Sequence, residues 1–377
     1  MPTFIKRILG LVIVVLVLIG MNAFMSRQGL FGFGLPYYYA EIINLTGISI
    51  ILAVSLNLIT GFTGQFSIGH AGFMAVGAYS SVFMTVYYSE PLEKALTAVV
   101  GASVAEALVF LLVIIFGALV AALAGLVVGI PSLRLRGDYL AIVTLGFAEI
   151  IRIIILNIDR VGGATGFRGR VPPLDGRLII PQYANFIWIG GFAVLTIVVV
   201  YNIVNSDVGR ALISIREDEL AAEAMGINTT RHKVLSFVIS SSFAGIAGAL
   251  FGHFRQFLHT NDFQFIRSIE IIIMIVLGGM GSITGAVLGA IVITILPELL
   301  RKLPGNLYGY RLVIYSALLI VIMLTRPQGV MGAKEFGLSW LKRAQRRPEG
   351  DKPAGEKGVP IAQQPNATKE IEEKEHA

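Results

Sequence analysis

Residues 104–129 read VAEALVFLLVIIFGALVAALAGLVVG, with Glu106 as their only charge. About 20 apolar residues in a row span a hydrocarbon core of roughly 30 Å as a helix, and this run has no polar face to turn toward water. Similar runs recur at about 8–25, 41–59, 67–88, 139–157, 186–204, 234–254, 269–280, 283–297 and 309–325. A backbone in lipid must satisfy its own hydrogen bonds, and a barrel would show short alternating segments instead. The expectation is an all-α polytopic membrane protein of about 9–10 transmembrane helices.

Composition agrees. Of 377 residues, 55% are hydrophobic and only 14% charged, where soluble domains carry about 25% charge. There is no cysteine, which removes disulfides, thiol catalysis and cysteine-ligated metals. The net charge of +6 does not point to nucleic acid, because the basic residues flank membrane segments, as in cytoplasmic loops. Lys6-Arg7 and the run after them could serve as a secretory signal. The run is long for a signal core and no Ala-x-Ala-like site follows, so it reads as the first membrane helix.

The basic residues set the orientation. Lys6 and Arg7, the turn at Arg134 and Arg136, the segment with Arg210, Arg216, Arg231 and Lys233, and Lys334 to Arg347 are all expected in the cytoplasm. That places both termini inside. Parity then requires two passes, or a re-entrant pair, between Ile269 and Pro297, and Gly278-Gly279-Met280-Gly281-Ser282 supplies the break. The loop at 158–185, with Arg160, Arg168, Arg170 and Arg177, falls outside against the charge rule. Residues 1–333 form the transmembrane domain, with a cytoplasmic segment at about 206–233. Residues 334–377 form a basic tail, disordered after about 348, where apolar content is too low to fold.

Four segments carry the chemistry. The first is Gly61-Phe62-Thr63-Gly64-Gln65-Phe66-Ser67-Ile68-Gly69-His70-Ala71-Gly72-Phe73. Its glycines suit tight helix packing, and Gln65, Ser67 and His70 equally suit a substrate path. In the second, Asp138 opens a helix carrying Glu149 and Arg152, three residues apart and so on one face. That pair is either neutralised packing or part of a pathway. The third is Ser214 to Arg231. Glu217, Asp218 and Glu219 crowd the first turn of a short helix, Ala221, Ala222, Ala224 and Met225 give it an apolar face, and Gly226 ends it. It is a surface helix or a docking face for a cytoplasmic partner. In the fourth, Gly278-x-x-Gly281-Ser282-Ile283 faintly echoes Gly61-x-x-Gly64 followed by Ser67-Ile68, as an internal repeat would. Gly285 and Gly289, and Gly248 and Gly252, have the spacing of close helix contacts. No phosphate-binding Gly-x-x-x-x-Gly-Lys-Ser/Thr loop, zincin pair or Ser-His-Asp set is found, so neither a bound cofactor nor an enzymatic activity is expected.

Thr63 to Phe73, Leu133 to Phe147, Leu277 to Ser282 and Arg326-Pro327-Gln328-Gly329 follow one another in the order of the branched-chain amino acid ABC importer permeases. Over about residues 40–330 the chain resembles their LivM-type subunit. The resemblance implies an ABC importer permease bundle in the inner membrane. It implies four partners: a second permease subunit, two cytoplasmic ATP-binding subunits and an extracytoplasmic solute-binding protein. On that reading the translocation pathway is expected to include Gly61, Gly64, Gln65, Ser67, Gly69, His70, Glu149, Gly278 and Gly281. It also implies an ATPase-docking Glu-Ala-Ala-x-x-x-Gly loop, matched by Ala221, Ala222 and Gly226, with Arg216 nearby. Leu220 takes the glutamate place, which Glu219 or Glu223 could fill. Arg168 and Arg170 become candidates for docking the binding protein. Leucine, isoleucine and valine are the substrates implied, with urea, amides or other amino acids as alternatives within the family. An ion-coupled secondary transporter using Glu149 and His70 is the alternative outside it.

Overall fold

The computed structural model describes residues 16–17, 19–22, 36–133, 135, 137–169, 180–301, 316–317, 320–321, 324–325 and 329–331. The chain divides into two units, Met1–Glu335 and Phe336–Ala377, and every described residue belongs to the first. The expected spans at 8–25 and 309–325 fall largely outside the described residues. The tail at 334–377 and Arg134, Arg136 and Arg170 fall wholly outside.

Among the described residues the elements are α1 (Tyr37–Asn57, prolonged by a π-turn over Leu58–Phe62), α2 (His70–Val100), α3 (Ala102–Ser132), α4 (Asp138–Leu156), α5 (Phe186–Val204), α6 (Asp207–Glu217), α7 (Glu219–Ala224), α8 (Thr229–Arg255), α9 (Phe265–Gly278) and α10 (Ile283–Leu300). No β-strand occurs among them, and Phe167 and Leu258 form an isolated bridge. The protein is an all-α polytopic membrane protein. Six helices, α1 with its π-turn, α3, α4, α5, α8 and α10, are long and apolar enough to cross a membrane. α2 is long, but its second half carries Glu90, Pro91, Glu93 and Lys94. α9 has 14 residues, or about 21 Å of rise, less than a hydrocarbon core.

Local chemistry fixes the helix starts. The side chains of Asn185, Ser206, Asp218, Asn228 and Ser282 accept hydrogen bonds from first-turn N–H groups of α5, α6, α7, α8 and α10. The segment at 214–231 departs from its sequence reading here. Glu217 closes α6, and Asp218, in an extended conformation, caps α7, so α7 begins only at Glu219. Gly226, at φ +84°, then ends it as expected, with Ile227 N–H bonded to the Ala222 carbonyl at 3.1 Å.

Lipid offers apolar side chains as good a home as another helix, so close backbone packing and polar contacts must hold the bundle. A Cβ on Gly77 of α2 would run into the backbone of Gly245 of α8, and one on Gly245 would stand 2.5 Å from Ala121 of α3. The small-residue spacings at Gly248 and Gly289 are likewise contacts, against the Met74 and Met274 carbonyls. Cross-helix hydrogen bonds add to this. Ser240 donates to the Ser55 carbonyl at 2.5 Å, and the buried His253 ring meets Thr85 Oγ1 at 2.8 Å.

α6 and α7 lie between the end of α5 and the start of α8 and mark one end of the bundle, called the coupling end after the role expected of this segment from the sequence. α1 runs toward it, as does α9. α2, α8 and α10 run away from it. The Gly278–Ser282 break therefore returns the chain, so α9 and α10 form the two antiparallel arms that parity required.

Candidate functional site

At the coupling end the two glycine-rich breaks meet. α1 loses its regular register at Leu58–Phe62, and the fully buried Asn57 faces the other break from just ahead of it. Its amide nitrogen donates to the Ser282 carbonyl at 3.0 Å, and its Oδ1 accepts from the Gly281 N–H at 3.0 Å. Asn57 thus supplies the acceptor for the Gly281 N–H at the α9–α10 break and adds a second bond to the Ser282 carbonyl, which also accepts from the Ala286 N–H at 3.0 Å. A Cβ on Gly61 would collide with Asn57 and with the Gly281 nitrogen. Residues 329–331 complete the seal, with Val330 N–H bonded to the Leu277 carbonyl at 2.8 Å and Met331 N–H to the Gly278 carbonyl at 3.1 Å. These two bonds occupy carbonyls that the end of a helix leaves without intrahelical partners.

Arg216, from α6, reaches the same point. Its Nη1 donates to the Gly61 carbonyl at 3.1 Å, and its Nη2 holds Glu217 Oε1 at 2.6 Å. Gly64, at φ +74°, lies against the Arg216 stem, where a Cβ would stand 2.8 Å from Cγ. Gly281, at φ +80°, would place a Cβ 3.0 Å from the Arg216 Nη1. Gly61, Gly64, Gly278, Gly281 and Arg216 are therefore one constellation.

Residues 63–69 then run inward from the coupling end. The Ile68 N–H donates to Thr144 Oγ1 at 3.1 Å, and Gly69 packs on the Thr144 carbonyl. The Ala71 N–H donates to Ser268 Oγ at 3.1 Å, and His70 Nε2 meets Ser55 Oγ at 3.0 Å. Ser67 and Gln65 are buried here, and neither side-chain amide atom of Gln65 has a hydrogen-bond partner among the described residues. Glu149 lies apart from this group. Its Oε2 accepts from Arg152 Nε at 2.7 Å along one face of α4, the neutralised pair of the packing alternative.

Helix α7 has an inner and an outer side. Glu219 binds the buried Lys233 at 2.5 Å, and Glu223 accepts from Thr229 Oγ1 at 2.7 Å. Both carboxylates thus pin α7 to α8. Ala222 is buried too, whereas Ala221, Ala224, Leu220 (62% exposed) and Met225 (83% exposed) face outward.

At the far end, a cavity of about 610 Å³ opens between α1, α8 and the two arms α9 and α10. No residue of the 61–73 segment lines it; its charged groups include Arg255, Arg267, Glu270, Glu298 and Arg301. Arg168 is exposed at this end, its guanidinium 4.7 Å from the centre of the Phe257 ring. Nearby, burial and the Glu93 carboxylate push the Tyr183 phenol pKa up, and Tyr183 donates to Glu93 at 3.2 Å.

The sequence reading missed Asn57, Thr144, Ser268 and the far-end cavity. An asparagine closing an apolar run is a signal, because a polar group at membrane depth needs a partner. The partners themselves lie on other helices and leave no local mark.

The family model described as "Branched-chain amino acid transport system / permease component" matches residues 38–323. The chain is 32% identical over 318 residues to the high-affinity branched-chain amino acid transport system permease protein LivM of Salmonella typhimurium, covering 77% of this chain and 69% of that protein. It is 24% identical over 323 residues to the probable branched-chain amino acid transport permease protein LivM of Methanocaldococcus jannaschii, covering 76% and 91%. It is also 32% identical over 171 residues to the high-affinity branched-chain amino acid transport system permease protein LivH of Salmonella typhimurium, covering 43% and 54%. No solved structure matches the chain significantly.

Proposed function

This chain belongs to the branched-chain amino acid transport permease family as a LivM-type member, and from that premise we propose that it forms half of the membrane pathway of an ABC importer for leucine, isoleucine and valine. It is a transport subunit of the inner membrane, multi-pass and without an enzymatic role of its own. The other half is a second, LivH-like permease; similarity to both LivM and LivH of one organism supports such a pair of related subunits. Two cytoplasmic ATP-binding subunits drive the pair, and an extracytoplasmic solute-binding protein delivers the ligand. The coupling end faces the cytoplasm and the far end faces outward.

One observation carries the mechanism: Arg216, on the helix next to the proposed ATPase-docking surface, is bonded to the first glycine-rich break and packed against the second. In the state described, the two breaks close on each other through Asn57, while the far end holds an open cavity. We read this as an outward-facing state. Closure of the ATPases moves α6 and α7, Arg216 transmits the shift to Gly61 and Gly281, and the closure at the coupling end parts. The 61–73 segment then lines the route inward, with the unpartnered amide of Gln65 available to a passing polar group. Discrete rearrangement of packed elements is the usual means of such coupling. Leu220, Ala221, Ala224 and Met225 form the ATPase-facing surface, and Arg168 with Arg170 contacts an acidic rim of the binding protein.

Isolation of the tagged chain from native membranes in mild detergent tests the assembly. Recovery of a second permease and two ATP-binding subunits, with loss of leucine uptake when the chain is deleted, is the expected result. A chain that purifies alone and transports on an ion gradient would overturn it in favour of a secondary transporter.

A further inference from the structure

We propose that the far-end cavity between α1, α8, α9 and α10 is a receiving site for a zwitterionic amino acid with an apolar side chain, held before it passes the coupling-end closure. The inference rests on the importer reading above and adds to it a site in this single chain. At about 610 Å³ the cavity lies within the roughly 300–1,000 Å³ range of small-molecule sites.

Its lining matches that ligand in charge. Arg255, Arg267 and Arg301 supply three cations, and Asp262, Glu270 and Glu298 supply three carboxylates. Both signs are present in equal number, which suits a ligand carrying one charge of each sign and no net charge. The wall between them is apolar, with Leu45, Phe251, Met274 and Ile293 available to a branched side chain. Thr294, also in the lining, has a buried hydroxyl with no hydrogen-bond partner among the described residues. That hydroxyl can serve a ligand carboxylate or ammonium.

The charges are held in place, yet can be recruited. Arg267 binds Glu270 at 2.8 Å, Arg301 binds Glu298 at 3.1 Å, and Arg255 binds Glu41 at 2.7 Å. Tyr38 fixes Glu298 through its hydroxyl at 2.5 Å. The Arg267–Glu270 and Arg301–Glu298 pairs join residues three apart on one helix and are partly exposed, the class of ion pair that contributes least to stability. A ligand can therefore replace one partner of a pair at little cost while the other stays oriented.

Position links this site to the mechanism. The cavity sits between the open arms of the α9–α10 hairpin, and the apex of that hairpin is the Gly278–Ser282 break bound by Asn57. A change at the apex alters the spacing of the arms, so the occupancy of the cavity and the state of the closure are mechanically joined.

The test is photolabelling of the assembled full-length complex with a diazirine analogue of leucine that keeps the α-amino and α-carboxyl groups, followed by peptide mapping. Label on peptides containing Phe251, Met274 or Ile293 is expected. Excess leucine should abolish it, and leucinamide, which lacks the carboxylate, should compete at least about tenfold less well. In parallel, Arg267→Gln and Glu298→Gln should each raise the KM for leucine uptake about tenfold while the complex still assembles. Label confined to other parts of the chain, in a complex that still imports leucine, would overturn this site and leave the permease reading standing. Full leucine uptake after deletion of the chain would overturn both.

Discussion

Arg216 donates a hydrogen bond to the carbonyl of Gly61, 155 positions earlier in the chain, at 3.1 Å. The bond ties the amphipathic α6 to the point where α1 gives up its regular helical turn. A backbone carbonyl at such a break has no partner within its own helix, and the guanidinium supplies a charged donor with fixed geometry. Glu217 holds the other edge of the guanidinium, so its direction is set from both sides.

Replacing Arg216 with glutamine therefore tests transmission. The variant should assemble with its partners, because Arg216 is partly exposed and its bonds lie at the edge of the bundle. Its leucine uptake should fall on the order of tenfold, with ATP hydrolysis continuing but poorly coupled to transport. Arg216→Lys keeps the charge and loses the two-sided grip, so it should recover only part of the uptake. Equal coupling ratios in the wild type and in both variants would remove Arg216 from the mechanism.

Asn57 is a matter of stability. Truncation to alanine leaves the part-buried Gly281 N–H without its partner, at about 1–3 kcal/mol, and takes one of two bonds from the Ser282 carbonyl, which keeps the Ala286 N–H. Asn57→Ala should lower the thermal unfolding temperature of the purified complex by several degrees. Asn57→Asp should be at least as damaging, because it keeps the acceptor, loses the donor and buries a charge. An unchanged melting curve for Asn57→Ala would show that the two breaks hold together by other means.

Gly69 and Gly146 separate close packing from mere glycine content. A Cβ on Gly69 would stand 2.6 Å from the Thr144 carbonyl oxygen, a backbone atom that cannot swing aside, whereas one on Gly146 meets nothing within 4 Å. Gly69→Ala should reduce the yield of folded protein in detergent several-fold. Gly146→Ala should be neutral or slightly stabilising, since alanine is favoured over glycine in a helix by about 1 kcal/mol. A larger residue at Gly69 is thus expected to harm folding as well as transport. Equal yields for the two alanine variants would count against the packing at Gly69.

The apolar runs made the membrane helices legible, and α5 spans Phe186–Val204, the stretch its run marks. The return at Gly278–Ser282 was legible too, because parity of the basic loops demanded it and glycine permits it. The functional constellation was only half legible. Gly61, Gly64, Gly278 and Gly281 stand out as breaks, but no local pattern tells that they close on one another. That depends on Asn57, whose amide reaches across 225 positions to Ser282. In the 214–231 segment Ala222, read as part of one apolar face with Ala221, Ala224 and Met225, turns inward while those three are exposed, and Glu219 and Glu223 are engaged in pinning α7. Composition told that α7 is amphipathic, but the side that faces the bundle is marked by the Glu219–Lys233 and Glu223–Thr229 contacts, whose partners lie on another helix.

Arg168 offers a test at the far end. Its guanidinium is exposed and steadied over Phe257, so reversal of its charge should leave the fold intact. Arg168→Glu combined with Arg170→Glu should slow association of the binding protein and weaken its stimulation of ATP hydrolysis. The defect should shrink as salt is raised, because rim charges act mainly on encounter rates. Stimulation equal to the wild type at low salt would assign the two arginines to solvent.

The exposed side of α7 gives the last prediction. Leu220 and Met225 are more than half exposed, on a helix whose acidic residues hold it to α8 from the other side. Apolar side chains on an exposed turn gain nothing in water, and a partner surface is the setting in which their burial is favourable. Leu220→Asp combined with Met225→Glu leaves the Lys233–Glu219 and Thr229–Glu223 contacts untouched, so the permease should keep its melting temperature. Recovery of the ATP-binding subunits with the tagged chain should fall on the order of tenfold or more, as when apolar anchors are removed from an interface. The second permease should still be recovered, because the substitutions leave the membrane-spanning helices unchanged. Undiminished recovery of the ATP-binding subunits would move the docking surface elsewhere, and loss of both partners together would mean that α7 supports the bundle and not the dock.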